Sequence, residues 1–196
     1  MGANAGFEPL SGARHQVELI DGVEWIVVRA RRNWFVLPFL SVWLILWTFG
    51  GLGAVTALMT GGVADRAFLA IWLLFWALGW AMVGSWVAWQ LTGRHMLAAH
   101  GGALVYRWAM PLLAKTRRYD AARVRHLASS EAGGLWGFGV PFRYDAPPFL
   151  PSVGPGGTIK FDYGARTVRV LPGLDEAEGR MIVDRLARKL PRAAVE

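Results

Sequence analysis

No cysteine occurs anywhere in the 196 residues, which removes disulfides, thiolate nucleophiles and thiolate metal sites from consideration. Charge is missing in a more telling way. Positions 34–59 hold no Asp, Glu, Lys, Arg or His, and neither do positions 67–93. Acidic residues are scarce overall, 14 against 21 Lys and Arg, which leaves a formal net charge of +7. Histidine is limited to positions 15, 95, 100 and 126. His95 and His100 are five apart and face opposite ways in one strand, so no spacing suits a zinc ligand set. There is no Gly-x-Ser-x-Gly stretch, and the carboxylates are scattered or placed to cap a helix. The chain is therefore expected not to be an enzyme, and neither a cofactor nor a metal is expected.

What is present explains the two gaps. Each charge-free window exceeds the ~20 residues needed to cross about 30 Å of hydrocarbon as a helix. A buried hairpin in a soluble protein is the alternative, but soluble helices of that length carry a polar stripe. Helices are expected over 34–59 and 67–92, joined by a short extracytoplasmic loop at 60–66. All but one of the Lys and Arg residues flank the pair, and the exception, Arg66, sits beside Asp65 at the tip. Under the positive-inside rule both ends are cytoplasmic. Arg31, Arg32, Trp34, Trp89 and Arg94 are the expected interface anchors. The first 33 residues are polar, and the apolar run that follows is too long for a signal peptide.

The rest reads as one domain split by the helices, residues 1–33 before and 93–196 after. "QVELIDGVEWIVVRA" gives strand, Asp-Gly turn, strand. Two strands alone are not stable, so they must pair beyond the hairpin. "RHMLAAHGGALVYRWAM", "AKTRRYD" and "RVRHLAS" are strand-like, and "GTIKFDYGARTVRVL" alternates about Gly164-Ala165. A helix is expected over 174–190, where Asp175 with Glu178 forms a capping-box start. Seven short strands followed by one amphipathic helix is an α+β or capped-barrel pattern.

"GRHMLAAHGGALVYRWAMPLLAKTRRYDAARVRHLAS", followed by "GTIKFDYGARTVRVLPGLDEAEGRMIVDRL", resembles the bacterial PH-like domains found in small membrane proteins, and "RRNWF" is similar to the same group's entry into its helices. The resemblance implies an α+β membrane protein: a two-helix transmembrane hairpin inserted in a PH-like β-barrel capped by a C-terminal helix. It implies little chemistry.

Three surfaces could carry function. At 100° per residue Trp72, Trp76, Trp80 and Trp86 fall on one side of the second helix, and Ala70, Ala77, Ala81, Gly84 and Ala88 on the other. Small residues admit a neighbouring helix, so the Trp43 and Trp47 face of the first helix is expected to pack there. The tryptophans of the second helix would then point outward, to a larger integral membrane protein or a flat lipophilic cofactor. Residues 131–157 hold seven Gly and five Pro, hence a loop, yet also Trp136, Phe138 and Phe142. Such a loop either folds over its own domain or offers an aromatic contact surface to a partner or to the bilayer interface. "KTRRYD", with Arg107, is either a solvated strand or a site for anionic lipid headgroups, using Arg107, Lys115 and Arg117. Strand alternation puts Lys115 and Arg117 on one face and Arg118 on the other. No nucleic-acid-binding motif is present. The function expected is an accessory or assembly subunit of a larger membrane complex. The alternative is a module that binds anionic lipid headgroups.

Overall fold

The computed structural model describes residues 14–30, 32–130 and 158–194. The described residues fall into two units, one formed by 14–29, 94–130 and 158–194, the other by the helices between 30 and 93.

The first unit opens with β1 (His15–Ile20) and β2 (Val23–Arg29). Asp21 and Gly22 both take positive φ, 52° and 73°, as a two-residue hairpin turn matched to strand twist requires. After the helices come β3 (Arg94–His100), β4 (Ala103–Met110) and β5 (Leu113–Asp120), again joined by tight turns. These five form one antiparallel sheet in the order β1-β2-β3-β4-β5. A second sheet, β6-β7-β8, consists of Val124–Ser129, Ile159–Tyr163 and Arg166–Val170.

Helix α3 (Glu176–Ala187) follows; the two apolar helices α1 (Val36–Thr60) and α2 (Val63–Thr92) precede it in the chain. It starts where it does because the Asp175 carboxylate accepts the Glu178 N–H at 2.7 Å, while the Glu178 side chain turns back to the Asp175 N–H. Ile182, Val183 and Leu186 form its buried stripe. They join Ile26, Leu97 and Leu104 of the first sheet and Val124, Ile159 and Phe161 of the second in one core. Arg185 and Lys189 both reach Glu24 on β2, which holds that carboxyl below its usual range, chiefly through the Lys189 hydrogen bond.

The expected PH-like barrel is not formed. Two sheets are present, neither closes on itself, and no ladder joins them among the described residues. Eight strands are described, where seven were expected. The break lies between β5 and β6. There the Asp120 side chain accepts the Ala122 N–H at 3.0 Å and tightens residues 121–123 into a 3-10 turn. The chain thus turns out of the first ladder before β6 begins. Further along β6, the register with β7 shifts between Arg125 and Ala128, and His126 takes a φ of 50°. Such a bulge bends its strand locally. The architecture is two open sheets and a helix around one core, and the PH-like description of this domain is withdrawn with the barrel.

The second unit is a helical pair, α1 (Val36–Thr60) and α2 (Val63–Thr92). Both are long and apolar enough to cross a membrane by length and composition. Phe39, Ile45, Leu46, Phe49, Phe68, Leu74 and Phe75 are all exposed on them. Water penalises such an envelope, and hydrocarbon does not.

Candidate functional site

Within the helical pair, α1 and α2 meet through tryptophan and glycine. Gly51 is buried on α1, and a Cβ placed there would lie 2.2 Å from the Trp76 ring. The indole of Trp76 therefore occupies the space that a side chain at 51 would need. Its Nε1–H donates to the Trp47 carbonyl at 3.2 Å, and Trp80 Nε1–H donates to the Thr48 hydroxyl at 2.9 Å. Trp47 in turn lies close to Gly79. Trp76 is thus turned toward α1, and Trp80 reaches it through its Nε1–H while keeping 41% of its surface exposed, so the tryptophan face of α2 makes these contacts where the small-residue face was expected to. Ala70, Ala77 and Ala81 are exposed instead. Trp72 keeps 41% of its surface exposed and Trp86 is half-buried.

A polar knot lies where α1 begins and α2 ends. Asn33 Oδ1 accepts the N–H groups of Phe35 and Val36 at 3.1 and 3.2 Å, satisfying donors that the first turn of α1 leaves open. The Asn33 N–H donates to Gln90 Oε1 at 3.0 Å, and Gln90 is fully buried. Arg32 donates to the Leu91 carbonyl, and the Ala30 N–H donates to the Gly93 carbonyl at 2.9 Å. Gly93 has no room for a side chain, because a Cβ would meet the Trp89 carbonyl at 2.5 Å. Of the two tryptophans expected at the interface, Trp34 is exposed and Trp89 is 1% exposed. Sequence reasoning missed Gln90, and its signal was available: it is the most polar side chain in the second charge-free window. Gln90→Leu is expected to leave the Asn33 N–H without its acceptor and to destabilise the pair by about 1–3 kcal/mol. Gln90→Glu keeps an acceptor but buries a carboxyl, and it should be destabilising as well. Denaturation by sodium dodecyl sulfate, followed by tryptophan fluorescence, checks both.

On the first sheet, Arg107 faces Thr116 across the ladder, while Tyr106 faces Arg117 and Trp108 faces Lys115. Directly opposed residues share a face. Arg107 therefore projects from one face and Lys115 and Arg117 from the other, so the three candidate headgroup residues do not gather. Arg94 begins β3 and is exposed. His95 is buried, and its Nδ1 lies 2.7 Å from the Tyr106 hydroxyl. Burial lowers the His95 pKa to about 4 and raises that of Tyr106. Arg31, Trp136, Phe138 and Phe142 lie outside the described residues. Among the described residues no three of His, Asp and Glu gather to hold a metal ion. Comparison with protein-family models, curated proteins and solved structures finds no match for the chain.

Proposed function

We propose that this chain is a non-catalytic accessory or assembly subunit of a larger complex in a bacterial inner membrane. It would be anchored by α1 and α2, with both termini cytoplasmic. The observation that carries this reading is the apolar, exposed envelope of the helical pair, which contains no charge between positions 67 and 93. Membrane helices that relay protons or pass ions place ionisable groups inside. Side-chain hydrogen bonds of these helices stay within the pair, as those of Ser41 and Ser85 to their own helix and of Trp76 and Trp80 to α1 do. The exposed Ala70, Ala77 and Ala81 of α2 support docking against another helix, since small residues permit close approach.

The direct test is to extract the chain from its native membrane in a mild detergent and identify what accompanies it by mass spectrometry. One or two integral membrane proteins at fixed stoichiometry are expected. Ala77→Leu should lower their recovery about tenfold, the effect of some 1.4 kcal/mol, without altering the stability of the helical pair. Recovery of the chain alone overturns the subunit reading. A topology reporter placed at Gly62 should read the opposite side from one at the C-terminus.

A further inference from the structure

Arg29, the last residue of β2, and Arg94, the first of β3, are direct partners across the ladder. Such partners hold their Cα atoms about 4.5–5.5 Å apart with side chains on the same face. Two positive charges in that position repel, an arrangement that an anion bound between them relieves. Arg107 completes the cluster. It pairs with Met96, two residues along β3 from Arg94, and so lies diagonally from Arg94 on the same face. Diagonal neighbours stand about 7–8 Å apart, within reach of long side chains. All three arginines are exposed, and none forms an ion pair or side-chain hydrogen bond with a described residue. Glu24, Glu176 and Asp162 are held by other cations: Glu24 by Arg185 and Lys189, Glu176 by Arg180, Asp162 by His126.

A guanidinium offers paired N–H donors that match two oxygens of a phosphate. Three such groups on one face of three adjacent strands suit a tetrahedral oxyanion better than a single planar carboxylate. We propose that Arg29, Arg94 and Arg107 form a phosphate-binding site for the phosphodiester of an anionic lipid headgroup. The phosphate chemistry stands on the strand register. The lipid source rests on the membrane reading above, because Arg94 follows the last residue of α2, Thr92, by two positions. A chain of two residues spans no more than about 7 Å.

The full chain in neutral maltoside micelles is titrated with phosphatidylglycerol, followed by native mass spectrometry, and separately with inorganic phosphate as competitor. Arg29→Gln with Arg94→Gln should weaken lipid retention at least about tenfold, the loss of charge-assisted bonds. Arg29→Lys with Arg94→Lys should fall between, keeping charge without the fork. Arg166→Gln with Arg188→Gln removes the same charge elsewhere and should change retention less than about twofold. Equal loss in the two glutamine pairs means general attraction and overturns the site, as does a wild-type chain that binds neither ligand. Saturable phosphate binding without lipid binding keeps the site and rejects its lipid source. Should the Arg29/Arg94 glutamine pair fail to fold, Arg107→Gln alone decides by the same comparison.

Discussion

Gly51→Ala is expected to loosen the helical pair, while the same change at Gly50 or Gly53 is expected to leave it intact or tighten it. The three glycines lie within four positions of one helix, so propensity treats them alike: alanine gains about 0.5–1 kcal/mol over glycine in a helix. Their surroundings differ. Nothing lies within 4 Å of a Cβ built at Gly50 or Gly53, whereas at Gly51 it falls 2.2–2.6 Å from three atoms of the Trp76 ring. A real Cβ there forces the indole aside and breaks its hydrogen bond to the Trp47 carbonyl. Overpacking of this kind costs about 1–3 kcal/mol, more than the helical gain returns. Unfolding in sodium dodecyl sulfate should therefore move in opposite directions for Gly51→Ala and Gly53→Ala. Gly51→Leu should be worse still. Trp76→Ala should partly rescue it, since the two residues compete for one space. A Gly51→Ala protein as stable as the parent would mean that Trp76 is not seated as described.

Acid should weaken the β-domain through His95. Its imidazole is held neutral by burial, with a pKa lowered from 6.5 to about 4. In the unfolded chain it takes up a proton near pH 6.5. The unfolded state thus binds more protons between those values, and stability falls as pH falls through that window. Above about pH 6.5 the contribution is fully present; below about pH 4 it has been lost. The difference amounts to about 3 kcal/mol for a shift of this size. His95→Phe removes the titrating group and should flatten the dependence between pH 6.5 and 4, whatever it does to stability at neutral pH. Tyr106→Phe leaves the histidine buried without its 2.7 Å partner, so the acid sensitivity should persist. Denaturation monitored at several pH values separates the three proteins. An unchanged slope in His95→Phe would assign the acid sensitivity to another group.

What could be read in advance was local. The Asp21-Gly22 turn and the Asp175/Glu178 cap each depend on residues within four positions, and both stand in the structure. Sheet closure depends on where a chain goes after it leaves a strand. At Asp120 one side-chain hydrogen bond redirects it, and no periodicity records that choice. The tryptophans show the same limit. Helical spacing places Trp72, Trp76 and Trp80 on one arc, but it does not say which arc meets α1. The space left by Gly51 decides that. Arg107 is a third case. Alternation within β5 separates Arg118 from Lys115 and Arg117, yet only the β4–β5 register puts Arg107 on the opposite face from the latter two. Gln90 was overlooked because an amide in an apolar window looks like an exception until its partner, Asn33, is known.

The pairing of Arg29 with Arg94 also sets an order of events during synthesis. β2 leaves the ribosome with only β1 beside it, and its proper neighbour, β3, follows the whole of residues 30–93. A two-stranded hairpin is marginal by itself, and its open edge is a template for wrong pairing. On the membrane reading, insertion of α1 and α2 as a hairpin brings the two flanks side by side and reduces the entropy still to be lost in closing that long loop. The bilayer then serves as a jig for the sheet. On that reading a chain delayed in insertion carries an unfinished sheet, so insertion comes before completion of the β-domain.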